Sequence, residues 1–395
     1  MTTRDIDLLS LDLHTYDPEP IYEYLREEEP VYWDAKNELW AVSRYDDVIF
    51  ASKNTDIFCS GQGVVPGVGL EDWPDEAMIN LDGHAHTRQR GLVSKGFTPR
   101  RMAGLEQHAR DIAVDLVNKV KSTGKCDVVK DLARPLPMQL IAEMLGYPED
   151  MYNTVLDWTD TFTQGGCGQA CITDEVVEAF SNFCMFHMQL LEERKQNPGD
   201  DLLSIWLSAE LEGDKLSEDK LLYEHNLLLV GGSETTRNAI SGGFLQLIRH
   251  PEQRQHLIDN PEALPNAIEE IVRWATPFVR MARTLTQDHS WHGKEMKKGQ
   301  QIVMLYPAAN RDPRAFDNPQ VFDIHRDFKR PSLSFGYGKH FCLGASLARL
   351  ELKVMFEEVL KRIPDMQLDP DNEVVPHPSC FIRGLESLPV TFSAV

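Results

Sequence analysis

The sequence predicts a mainly α protein, an α-rich α+β chain with a small β-rich portion, and three observations carry that prediction. From about residue 84 to 250 the apolar residues recur at helical spacing almost without interruption. After Ser217 the run Ser-Glu-Asp supplies an N-cap and two acids for a long helix expected to continue to about Arg249. Strand-like segments are short and confined to the two flanks of the chain, the segregation that marks an α+β arrangement.

In chain order, residues 20–29 and 44–53 read as short amphipathic helices, with strands at Val31-Tyr-Trp and Leu39-Trp-Ala-Val. Residues 60–77 hold Gly61, Gly63, Pro66, Gly67, Gly69 and Pro74, which predicts a long irregular loop of the functional or disordered kind. Pro135, Pro137, Pro148 and Gly165-Gly166 are expected to break the helical region. A further helix starts near Pro261 and ends before Pro277, followed by strands at 281–286 and 300–305. A meander rich in proline and aspartate over 307–334 leads to a helix from Leu343 to about Arg362, then a β-rich tail through Phe392. With no Ser/Gly tract, charge block or internal repeat, residues 1–395 read as a single domain. A chain of this length buries about three quarters of its unfolded surface, enough to enclose a cofactor.

The net charge of −22 excludes nucleic acid as a natural partner. No apolar h-region opens the chain and no stretch reaches 18 uncharged apolar residues, so a cytoplasmic protein without a membrane anchor is expected. The seven cysteines are odd in number and lack a Cys-x-x-Cys pair. Cys167 and Cys171 leave a minor metal or disulfide role open, with free thiols the default.

The densest signal is Phe335-Gly-Tyr-Gly-Lys-His-Phe-Cys342-Leu-Gly344. It sets one cysteine at the end of a glycine-loosened loop, just before a helix whose N-terminus favours a thiolate. Gly336, Gly338 and Gly344 let backbone approach a flat ligand closely. This segment resembles the haem-binding loop of the cytochrome P450 family, F-G-x-G-x-H-x-C-x-G, at all six fixed positions. The resemblance implies that family's fold, with a long central helix over the haem. It also implies haem b (iron protoporphyrin IX) with Cys342 as the iron ligand and Phe335, Gly336 and Gly344 around it.

Other motifs extend the resemblance in the family's order. Glu270 and Arg273, which alone read as a solvated i, i+3 pair, are similar to the E-x-x-R element that locks the meander. His86 and Arg90 resemble H-x-x-x-R, and with Arg283 and His340 they are expected at the haem propionates, since buried carboxylates need paired donors. Gly231-Gly232-Ser-Glu234-Thr235-Thr236 resembles the oxygen-binding groove of the long helix. There Gly231 and Gly232 let haem lie against backbone. Thr235, bonded to the Gly231 carbonyl, holds a water or reduced dioxygen, and Glu234 links the site to solvent protons; close helix packing at the glycines is the alternative.

The family resemblance implies a monooxygenase that hydroxylates a hydrophobic small molecule with O2 and two electrons from a ferredoxin and its NAD(P)H-dependent reductase. Arg100, Arg101, Lys339, Arg349 and Lys353 offer a basic patch for such a partner. Substrate-pocket positions implied by the family are Met78, Ile79, Val230, Phe278, Met281, Phe381 and Ile382. The segments 232–237 and 381–390 resemble bacterial subfamilies that oxidise cholesterol or cholest-4-en-3-one side chains at the terminal methyl. Terpenoid, other steroid and fatty-acyl substrates, a peroxygenase of the same fold, and a haem sensor without turnover stay open as alternatives.

Overall fold

A computed structural model describes residues 5–15, 18–71, 75–165 and 171–394. The long helix runs Glu218–Arg249, with the Ser217 side chain accepting from the Lys220 N–H as expected from its sequence. It packs against helices Pro135–Leu145, Leu264–Ala275 and Ala345–Arg362. Buried Leu229, Ile240, Phe244 and Leu247 project from it into the main core. Gly243 is what lets these helices approach: a Cβ there would stand 2.6 Å from Phe356 Cζ and 2.7 Å from Ile271 Cγ2.

Several boundaries differ from expectation. The helical run does break at Pro135, after the π-helical turn Val128–Ala133, but Pro135 and Pro137 also open the next helix, Pro135–Leu145, where the first-turn N–H groups need no intrahelical acceptor. Likewise Pro251 starts a separate helix, Pro251–Asp259, after His250 leaves helical geometry (φ −123°, ψ 70°). The helix before Pro277 is a 3-10 turn, Pro261–Ala263, followed by Leu264–Ala275. The helix after Cys342 begins at Ala345 with Gly344 as N-cap, two residues later than predicted.

The larger sheet has five strands, ordered Val31–Asp34, Leu39–Val42, Gln301–Leu305, Arg280–Leu285 and Phe58–Cys59. Leu39–Val42 and Gln301–Leu305 run parallel, and the other neighbours are antiparallel. A three-stranded sheet joins Gln367–Leu368 and Pro389–Thr391 of the tail to Lys125–Asp127. That last strand lies inside the stretch read as wholly helical. Asp127 holds the junction: its carboxylate accepts from the Val129 and Leu388 N–H groups and the Ser387 hydroxyl.

Glu270 and Arg273 are not a solvated pair; both side chains are 0% exposed. Arg273 Nε and Nη2 donate to Glu270 Oε2 and Oε1 at 2.7 and 2.8 Å. Arg326 Nε adds a third bond to Oε2 at 2.8 Å, and the Asp323 N–H a fourth to Oε1 at 2.9 Å. Arg273 also donates to the carbonyls of Asn310 and Pro319. The meander is thereby fastened to one helix face from Asn310 to Arg326.

Candidate functional site

The loop ahead of Cys342 turns on two left-handed glycines, Gly336 (φ +69°) and Gly338 (φ +74°). A Cβ at Gly338 would also stand 3.0 Å from the Ser52 carbonyl oxygen. The Cys342 N–H donates to the Phe335 carbonyl at 2.8 Å, and Arg349 lies over the Phe335 ring at 4.5 Å. The loop therefore presents Cys342 at the floor of a cavity of about 390 Å³ whose lining is mostly apolar. The thiol is accessible to that cavity and otherwise enclosed by protein. Burial pushes its pKa up, against the Gly344 and Ala345 N–H groups and the Arg90 and Arg349 charges, which pull it down. A cation bound at sulfur would deprotonate it outright.

Four basic side chains gather beside the loop. His86 and His340 lie with ring centroids 4.2 Å apart, and Arg90 Nη2 donates to the Phe341 carbonyl. Arg283, buried on strand Arg280–Leu285, donates to the carbonyl of its neighbour Ala282. Among the described residues none of the four has an ion-pair partner, and both His86 ring nitrogens are buried without a hydrogen-bond partner. The nearby Asp82 carboxylate is occupied by the Ser60 and Gly61 N–H groups. Burial lowers the pKa of all four, His340 to about 3 and with Arg283 as a second cause. Near neutral pH both imidazoles are uncharged, which leaves two guanidiniums: a cradle for a dianion.

The long helix forms the opposite wall. The Thr235 hydroxyl donates to the Gly231 carbonyl at 2.8 Å, and a Cβ at Gly231 would meet nothing within 4 Å. Gly232 differs: a Cβ there would lie 2.9 Å from Ile141 Cγ1, so close helix packing accounts for that glycine. Glu234, expected beside Thr235, does not line the cavity. It is 1% exposed, with Oε2 at 2.8 Å from Arg237 Nη2, and burial pushes its carboxyl up. Arg237 in turn meets Asp160 at 3.0 Å; Asp160 also holds Arg134 and is 39% exposed. A polar chain thus leads from Glu234 to the surface.

Met78, Ile79, Val230, Phe278, Met281 and Phe381 line the cavity, whereas Ile382, 1% exposed, packs beside Cys380 instead. The chain bends here, with the Phe381 and Ile382 N–H groups both on the Ser379 hydroxyl and Ile382 bridged to Phe278, and the two successive side chains face different ways. Sequence reasoning missed Val64, Leu70, Phe162, Val176 and Phe180, whose only signal was apolar side chains amid glycines or flanking a helix break. It also missed Glu351, a buried cavity-lining acid pushed up to about 8 by burial. Of the two spaced cysteines, Cys167 lies outside the described residues, and Cys171 is half-buried against the Phe381 cluster.

Fold and site together define a protein built to enclose a flat, apolar group carrying two acids, with sulfur on one side and helix backbone on the other. The model of the cytochrome P450 family matches residues 169–381. A steroid C26-monooxygenase of Mycolicibacterium smegmatis is 38% identical over 378 residues, covering 94% of this chain and 92% of the relative. A methyl-branched lipid omega-hydroxylase of Mycobacterium bovis is 39% identical over 413 residues, covering 98% and 95%. Among solved structures, the polyketide-biosynthesis cytochrome P450 PksS of Bacillus subtilis superposes with a TM-score of 0.89 at 35% identity, over 98% of this chain and 100% of that one. This chain belongs to the cytochrome P450 family; it is a monooxygenase whose cofactor is haem.

Proposed function

We propose that the chain, acting as one domain, hydroxylates a hydrophobic molecule of steroid or branched-lipid type at a terminal methyl group, with electrons from a ferredoxin and its NAD(P)H-dependent reductase. The observation that carries this reading is the cavity shared by Cys342, the cation cluster and the Gly231–Thr235 groove, continuous with an apolar chamber. Cys342 would ligate the haem iron, and Arg90 and Arg283, assisted by His86 and His340, would take the propionates. Phe335, Gly336 and Gly344 would flank the sulfur. Haem ligated in this way supplies dioxygen binding and O–O cleavage.

The chain's own residues do the rest. Because the Thr235 hydroxyl spends its proton on the Gly231 carbonyl, its oxygen offers lone pairs to a water in the groove. Glu234, with its raised carboxyl pKa, takes a proton at Oε2 from solvent water that reaches the part-exposed Asp160 and passes it to water in the groove. Arg237, which bridges the two carboxylates, loosens its hold on Oε2 while the carboxyl is neutral. The apolar wall of Val230, Phe278, Met281 and Phe381 holds substrate by shape and keeps bulk water out.

The sequence similarity to steroid C26 and lipid omega-hydroxylases supports a terminal methyl as the target. For the partner, exposed Phe341 beside Lys339 supplies an apolar centre with positive charge near Cys342. The expected basic patch is smaller than its residue count, since Arg349 pairs with Glu269 and Lys353 with Glu106. Thr235→Ala tests the reading. Product per O2 consumed should fall roughly 10-fold, about 1.4 kcal/mol of lost discrimination, with the oxygen appearing as peroxide. Undiminished coupling would refute the role of Thr235.

A further inference from the structure

The cavity is not uniformly apolar. Its cations, His86, Arg90, Arg283 and His340, all stand at the Cys342 end. Asp75, Asn80 and Asn226 also line the wall. Asn80 is 4% exposed; its amide group bonds the Asp75 carboxylate, which fixes the amide orientation, and its Oδ1 has no partner among the described residues. Asn226 Oδ1 is likewise buried and unpartnered. Asp75 accepts a backbone bond from the Ala77 N–H at 2.8 Å besides that of Asn80.

The place of this polar group along the substrate path is set by the long helix. Glu224 Oε1 accepts the Met78 N–H at 2.6 Å, which ties the turn Met78–Asn80 to the helix seven residues before Gly231. At 1.5 Å per residue that is about 10 Å from the groove. Asn226 stands between the two on the same helix, three residues after Tyr223, whose phenol feels the Asp75 charge. Two acids, Asp75 and Glu224, serve this end, and burial pushes both carboxyls up, Glu224 to about 7.

The unfilled valences of Asn80 and Asn226 are acceptors, so the missing partner is a donor. We propose that Asn80, Asp75 and Asn226 form an anchor that accepts a hydrogen bond from a hydroxyl group on the hydrophobic substrate, and that a carboxylate, which has no donor to offer these acceptors, is turned away. This rests on the monooxygenase reading and narrows its substrate class to neutral, hydroxyl-bearing molecules. A site whose buried acceptors wait for a hydroxyl discriminates against analogues that lack it, because those acceptors are then left unpaired.

The test is a substrate-binding titration of the haem-loaded enzyme, read from the spin-state shift of the Soret band, with matched probes: 1-dodecanol, 1-methoxydodecane and dodecanoate, then cholesterol and cholest-4-en-3-one. The hydroxyl member of each set should bind roughly 10-fold tighter than the member without a donor, with dodecanoate weakest. Asn80→Leu, and independently Asn226→Leu, should erase the preference while leaving the ether's affinity and the reduced carbonyl spectrum unchanged. Equal affinities within a set, a carboxylate binding as tightly as the alcohol, a preference that survives both variants, or silence from every hydroxyl probe would overturn the anchor. Loss of the sulfur-ligated carbonyl spectrum in the parent enzyme would instead strike the haem site.

Discussion

Replacing Glu270 by Gln isolates the clamp on the meander. The carboxylate has no exposed surface and receives charge-assisted bonds from Arg273 and Arg326, which are themselves at most 6% exposed. The amide keeps the shape but leaves two guanidiniums without a counter-charge, a loss of about 3–5 kcal/mol for a broken buried pair. With unfolding entropy of about 2.1 cal/mol/K per residue, 395 residues give roughly 0.8 kcal/mol/K. The expected fall in Tm is therefore about 4–6 °C by calorimetry on the haem-loaded protein. Haem content should fall with it, because Asn310 and Pro319, which Arg273 holds, begin the segment that runs into the Cys342 loop. Glu269→Gln is the control: its partner Arg349 is 38% exposed, so about 1 °C or less is expected. Equal shifts for the two variants would refute the idea that enclosure of the ion pair, rather than its mere presence, sets the cost.

Two further outcomes rest on the same kind of geometry. Gly232→Ala should destabilise by about 1–3 kcal/mol through its collision with Ile141, whereas Gly231→Ala, next to open space, should leave or raise stability yet weaken haem or substrate binding; thermal melts paired with Soret titrations separate them. Acid should also weaken the apoprotein through buried neutral histidines. His340 titrates near 3 and His187 near 4 in the fold, below the unfolded value, so the unfolded chain binds more protons and stability falls as pH drops from about 6.5. At pH 5 each such histidine costs about 2 kcal/mol. Melts from pH 7 to 5 should show a shallower decline with haem bound, since propionates would raise the pKa of His340.

Residues whose role depends on a local pattern were readable from the chain. Ser217 caps its helix where the Ser-Glu-Asp run places it, and Gly336 and Gly338 turn the loop before Cys342. What escaped depends on partners far away in sequence. Lys125–Asp127 is a strand only because Pro389–Thr391 lies beside it, and three residues carry no periodicity of their own. Glu270 and Arg273 have the spacing of a surface pair, and only the meander folded over them takes them out of water. Gly231 and Gly232 are adjacent and alike in one dimension; Ile141, on another helix, makes one a packing device and leaves the other facing the cavity. Ile382 fails for the same reason, since which way a side chain turns is settled by its neighbours in space.

The pairing of Lys125–Asp127 with Pro389–Thr391, like the parallel pairing of Leu39–Val42 with Gln301–Leu305, has a kinetic meaning. Each closes a loop of more than two hundred residues, so neither can form while the later partner is still inside the ribosome. The early strands wait, edges bare, until most of the polypeptide has emerged. Newly made chains are accordingly most prone to aggregate in that interval, and slower elongation across the last third of the message would lengthen it.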